Sequence, residues 1–335
     1  MTIVNLFYFF LVIAIFGFFK QFSNLINIYD IPDDRKLHKG SISLAGGVYL
    51  FICIYFYLIF SHFINDSNLD LLFGTNTEII NFITISLSFF LIGLVDDKKN
   101  ISANRKIIFF FTLILIAVSI DNDLNLKILY FSFIDKRILL ENFSIIFSIF
   151  SIFIFINALN MYDGSNGQLG IYTITFISYL AYKLNSINYL LFILPFIFFL
   201  FLNLKKKTFA GNSGSYFLGF FLSFIIIKIY SFRGKYLFSD EVVLLMFFPV
   251  VDLTRLFFYR IYNNSSPFSG DRNHIHHILY NTFKSNTKVQ LTLFSITVLP
   301  LAIYEITNLN ILFFIGVNFI IYFIILKKLS FQNNK

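Results

Sequence analysis

Charge is what this sequence lacks. A chain of 335 residues ordinarily carries about a quarter of its positions as Asp, Glu, Lys and Arg, or about 84, whereas this one has 26 basic and 18 acidic residues. With 57% hydrophobic residues, 50 phenylalanines and a mean hydropathy of +0.76, it has too little polar surface for a compact fold in water. That excludes a soluble globular domain, and the hydropathy equally excludes a disordered chain. Tryptophan is absent, so anchoring at a membrane interface falls to tyrosine. One cysteine, Cys53, lies inside an apolar run and excludes both an intrachain disulfide and a cysteine-based metal site. No internal repeat, low-complexity linker or second domain is visible, so residues 1–335 read as a single unit.

What is present is a series of about eleven apolar runs: 2–19, 45–63, 79–95, 107–120, 144–159, 169–182, 189–204, 216–230, 241–258, 289–304 and 311–326. They predict an all-α, polytopic membrane protein of about eleven transmembrane helices, the fourth and sixth being the shortest of length for a span. The first run has no basic segment before it, and Lys20 follows it, so it reads as a retained helix with its N-terminus outside. With that orientation eighteen of the 26 Lys and Arg fall in inner loops, as the positive-inside rule requires. The net charge of +8 is thereby explained without nucleic acid. The outer segment 121–143, with Asn, Asp and β-prone residues, predicts a short hairpin.

The inner loops carry unusual polar clusters. In the first, Arg35, Lys36, His38 and Lys39 precede Gly46-Gly47 at the start of the second run. Cations and glycines at a helix N-terminus suit an anion, and glycines equally suit close helix packing. In the second, Asp96-Asp97 end a helix whose dipole disfavours acids, which a divalent cation would relieve or Lys98 and Lys99 would balance. In the third, Asn157, Asn160 and Asp163 recur every three residues as a polar ridge, followed by Asn166. The fourth, Lys205-Lys206-Lys207 before Gly211-Asn212-Ser213-Gly214, suits an anion but is not a Walker A loop, because the lysines precede the glycines. In the last, Asp271 and Arg272 lead into His274, His276 and His277. Zinc is one reading of three histidines, but spacings of one and two do not share a helical face, and contact with a phosphate or leaving group competes. His62, at an outer helix end, reads as structural, and Asp252 and Arg255 can pair at a spacing of three. Carboxylates for a metal, cations for phosphates and amides for hydrogen bonds together point to metal-assisted transfer of a phosphate-bearing group.

As a set these loops resemble the polyprenyl-phosphate N-acetylhexosamine-1-phosphate transferases, the family of MraY and WecA, and look closest to the WecA type. The segments that carry the resemblance are Arg35 to Gly47, Leu91 to Asp97, Asn157 to Gly164, Gly211 to Gly219, and Pro249 to Asp252 continuing through Ser266 to His277. The resemblance implies transfer of a hexosamine 1-phosphate, with GlcNAc as the first expectation, from a UDP-sugar to undecaprenyl phosphate, releasing UMP. It implies Mg2+, with Mn2+ as the alternative, a bacterial inner membrane with the site cytoplasmic, and a homodimer as a further expectation. Asp96, Asp97, Asp163, His274, His276 and His277 are then the expected catalytic residues. Lys36, His38, Lys39, Asn157, Asn160, Asn166 and Arg272 are expected to bind substrate, and Asp97, Asp163 and Asn212 to hold the metal. Two positions depart from the family pattern: Asn212 stands where the family usually carries Asp, and Asn166 where many relatives carry Asp, though Asn there also occurs within the family. An inactive or donor-altered homologue is the main alternative. An aromatic prenyltransferase would need a second Asp-rich motif, and a transporter would place its charges nearer the bilayer midplane.

Overall fold

A computed structural model describes residues 3–31, 40–63, 72–134, 136–231, 236–267, 273–307 and 309–332. The chain enters through α1 (Ile3–Gly17), turns at Phe18, and continues in the short amphipathic α2 (Phe19–Ile26) at 76° to α1. The expected helix 2–19 corresponds to α1, while α2 falls in the segment expected as an inner loop; Lys20, Gln21 and Asn24 interrupt its apolar surface and leave only Phe19 and Ser23 buried. A two-residue pairing of β1 (Tyr29–Asp30) with β2 (Ile42–Ser43) then leads into α3 (Ala45–Phe63).

The bundle proper follows: α4 (Asn76–Lys99), α5 (Ala103–Ile120), α6 (Ser144–Tyr162), α7 (Gln168–Leu184), α8 (Ile193–Leu204) extended by a 3-10 turn before it, α9 (Gly211–Ser231) and α10 (Ser239–Tyr262). The expected hairpin lies between α5 and α6, where β3 (Ile128–Phe131) pairs antiparallel with β4 (Lys136–Leu139). After α10 comes a short helix that the hydropathy pattern does not reveal, α11 (Ile275–Phe283), followed by α12 (Asn286–Ile306) and α13 (Ile311–Gln332). Over the described residues, each of the eleven apolar runs is helical, the first apart from the turn at Phe18. Among the described residues seven helices are long and apolar enough to cross a bilayer, or eight if α1 and α2 form one bent span, while 188–204 and 311–327 are shorter apolar helices and α7 has 17 residues.

α9 is the centre of the bundle. It is apolar nearly all round, and every residue from Ser213 to Tyr230 is buried, as a helix without a polar face requires. Small residues let its neighbours come close: Gly47 of α3 lies against Gly214, Gly93 of α4 against Ser213, and Gly219 against Ile156 of α6. At one end of α9 the buried Lys228 ammonium is held by Glu78, Asp121 and Asp123 at 2.5, 2.9 and 3.1 Å. At the other end lies the site.

Candidate active site

The ends of α4, α6 and α8 meet the starts of α3, α7 and α9 around a cavity of about 630 Å³. Its lining includes Asp97, Asn160, Asp163, Asn166, Asn212, His276 and His277. Seven residues expected from the sequence thus converge from four separate chain segments.

Asp97 closes the last turn of α4. Its carboxylate accepts the backbone N–H of Asn212 (2.7 Å) and of Ser213 (3.0 Å), so the free donors at the N-terminus of α9 are met by an internal anion. Gly211 makes this possible: its φ is +68°, and a Cβ there would stand 2.7 Å from Asp97 Oδ2. The glycine and serine turn therefore docks Asp97 and does not present that helix end to an outside anion. The start of α3 is likewise occupied, with the Gly46 N–H donating to Thr208 Oγ1 at 2.8 Å and Ala45 to Ser43 Oγ at 3.1 Å. Of the two readings of Gly46-Gly47, the structure displays close helix packing.

Asp96 points elsewhere. It is 1% exposed, does not line the cavity, and accepts three hydrogen bonds of 2.7 Å, from Lys106 Nζ, the Tyr216 hydroxyl and the Ile101 N–H. Asn157 also turns away and donates to Phe153 O of its own helix, whereas Asn160 Oδ1 faces α9 and accepts from Ser215 Oγ at 2.6 Å. Asp163, which caps α6, forms no side-chain hydrogen bond with any described residue. Burial, and then the neighbouring Asp97, push its carboxyl well above the usual carboxylate range.

The histidines are ordered by α10. Asp252 Oδ2 lies 2.9 Å from His274 Nδ1 and accepts the Ile275 N–H, while Oδ1 accepts from Arg255 (2.9 Å) and Tyr322 (2.8 Å). The expected Asp252–Arg255 pair is present, and Arg255 also donates to Asn273 O. This network fixes the first turn of α11, stacking the His274 and His276 rings at 5.6 Å and 7°, with His277 4.2 Å from His276. His274 is behind the cavity and His276 within it, where the ring lies so close to Gly164 that no Cβ fits between them. Both ring nitrogens of His276 lack hydrogen bonds among the described residues. Burial and the adjacent His277 and His274 hold its pKa well below the ordinary histidine value, so it is neutral at pH 7.

Lys36, His38, Lys39, Asp271 and Arg272 lie outside the described residues. Several lining residues carried no sequence signal. Asn203 joins the two loops, its Oδ1 accepting from the Gly167 N–H and its Nδ2 donating to Thr208 O. Asn286 donates to Asn166 O. Lys206, by contrast, belongs to the lysine run that the sequence marks as suited to an anion, and it reaches the cavity from the α8 turn.

The geometry can be set beside known families. Residues 79–230 match the Glycosyl transferase family 4 model. No curated protein matches the chain. The family 4 segment runs from α4 to the end of α9 and contains every lining residue named above except the histidines and Asn286. A transferase embedded in a membrane is the coarse reading that the match and the apolar helices support together.

Family 4 enzymes are typically dependent on a divalent metal, and the residues here fit one. Asp97, Asp163, Asn160 and Asn212 bring hard oxygen donors to one cavity. Asp163, without a side-chain hydrogen bond among the described residues and with Asp97 adding to the cost of its ionisation, is what a cation would relieve. The other acidic group, Glu78, Asp121 and Asp123, gathers oxygens within 4.8 Å, but the Lys228 ammonium already sits among them and takes the place of a cation.

Proposed function

We propose that this protein is a polyprenyl-phosphate N-acetylhexosamine-1-phosphate transferase of the WecA type, acting on UDP-GlcNAc and undecaprenyl phosphate at the cytoplasmic face of a bacterial inner membrane. The product, a lipid-linked sugar diphosphate, would begin a cell-envelope polysaccharide. The observation that carries the reading is the convergence of Asp97, Asn160, Asp163, Asn212, His276 and His277 on one cavity at one end of the bundle.

In the proposed step an acceptor phosphate oxygen attacks the β-phosphorus of the UDP-sugar, and the bond from that phosphorus to the bridging oxygen breaks, releasing UMP. The acceptor, a phosphate monoester with a second pKa of about 6, is mostly dianionic at pH 7 and needs no strong base. Asp96, with three donors already on it, is placed to hold Lys106 and Tyr216 in position. Asp97, Asp163 and the amide oxygen of Asn212 are the residues that would hold Mg2+. That ion, when bound, offsets the negative charge gathered at the diphosphate. Neutral His276 offers one N–H and one lone pair, which suits contact with a phosphoryl oxygen.

Asn212 favours a second reading, a homologue that binds its ligands without turning them over, because an amide contributes no charge to the cation. Purified protein with UDP-GlcNAc, undecaprenyl phosphate and Mg2+ separates the two. Release of UMP that requires the lipid supports transfer, and its absence with every N-acetylhexosamine donor overturns it. UMP release without lipid, or a covalent phospho-enzyme, would defeat direct attack.

A further inference from the structure

Among the described residues the cavity is short of positive charge. Its described lining holds three carboxylates, Asp30, Asp97 and Asp163, and a single ammonium, Lys206. A phosphate-bearing ligand entering it is repelled unless a cation meets it.

Lys206 also sits in a backbone conformation that lysine does not favour. It follows the C-cap of α8 with φ +54°, its N–H donating to Asn203 O and the Lys207 N–H donating to Leu202 O, both at 2.9 Å. Glycine or asparagine is the low-cost residue there. This chain uses asparagine at the left-handed caps of α2, α4 and α7, namely Asn27, Asn100 and Asn185. Lys284 ends α11 in the same conformation but does not line the cavity. Neighbouring lysines behave differently from Lys206, since the Lys205 ammonium lies over the Phe201 ring, 3.9 Å from its centroid. The turn itself is rigid, because Asn203 bonds it to both Gly167 and Thr208.

We infer that Lys206 is a substrate-binding residue whose ammonium meets a phosphate group in the cavity, and that this contact is why a lysine occupies a position better suited to asparagine. The inference rests on the transfer reading above. The phosphate belongs either to the nucleotide sugar or to the lipid acceptor, and the two are separable by experiment.

The test uses the full chain in detergent, with Lys206→Asn, Lys206→Gly and Lys206→Arg. Melting temperature, UMP binding in the presence of Mg2+, and KM for UDP-GlcNAc and for undecaprenyl phosphate are measured. The expected result for Asn and Gly is an equal or higher melting temperature with UMP affinity weakened roughly tenfold or more, the usual size of a charge-assisted contact. Lys206→Arg should stay within about threefold of the parent, since the charge is kept. Unchanged UMP binding with a tenfold rise in KM for the lipid assigns the phosphate to the acceptor and supports the inference. Unchanged values for both substrates overturn it, and a lower melting temperature in Lys206→Asn overturns the backbone argument. A parent that releases no UMP defeats the transfer reading, while the ratio of UMP affinities between parent and variant still judges Lys206.

Discussion

Replacing Asp96 by Asn removes one charge at almost constant volume and tests whether this residue is structural. The carboxylate receives Lys106, Tyr216 and the Ile101 N–H, each at 2.7 Å, and is 1% exposed. Breaking a fully buried pair by removing one partner costs about 3–5 kcal/mol. Lys106 is 29% exposed along its side chain and can turn toward water, so the expected loss is smaller, about 2–3 kcal/mol. At the usual unfolding entropy of about 2 cal/mol/K per residue, that lowers the melting temperature by about 4 °C. Tyr216→Phe, which removes one hydrogen bond to a charged group, should lower it by about 2 °C. The double variant should fall short of the sum, because the two residues share a partner. Cys53 provides the assay: it is the chain's one cysteine and is buried, so a thiol-reactive dye reports unfolding directly. A melting temperature for Asp96→Asn within 1 °C of the parent refutes the structural assignment.

Three other outcomes follow from the same geometry. Without metal, the raised pKa of Asp163 means that its ionisation costs stability as pH climbs above the unfolded value of about 3.9; Asp163→Asn should therefore raise the melting temperature at pH 7 and not at pH 4, and Mg2+ affinity of the parent should weaken about tenfold per pH unit below the Asp163 pKa. Asn212→Asp should tighten Mg2+ binding, read by calorimetry or by the Mg2+ dependence of UMP release; no change would remove position 212 from the cation's ligands. Gly47→Ala places a methyl against the Ala210 carbonyl and the Gly214 backbone, so α3 and α9 must separate, at about 1–3 kcal/mol or more in thermal denaturation.

The helices were legible because apolar runs dominate the chain, and the hairpin between α5 and α6 because its residues turn polar and β-prone. What the pattern could not give is rotation about each helix axis. Asp96 and Asp97 are adjacent and so lie about 100° apart on α4; Gly93 against Ser213 fixes which of them reaches the cavity. A spacing of three drifts about 60° per step, so the ridge of Asn157, Asn160 and Asp163 curves away and its first member bonds its own helix. The short α2 was not legible because it lies beyond the apolar run, where Lys20, Gln21 and Asn24 make the segment read as a loop. Asp252 was visible as one half of an ion pair, yet its role in orienting His274 depends on a contact 22 residues away. Asn203 became a site residue only through the turn that ends α8, and the same turn selects Lys206 from a run of three lysines that the sequence could not tell apart.

The most direct test is UMP release by purified parent and Asp163→Asn protein, compared at matched melting behaviour with UDP-GlcNAc, undecaprenyl phosphate and Mg2+. The account predicts lipid-dependent release by the parent and a loss of about a hundredfold or more in the variant, in line with removing a group that stabilises transition-state charge. Equal rates in the two proteins would contradict it.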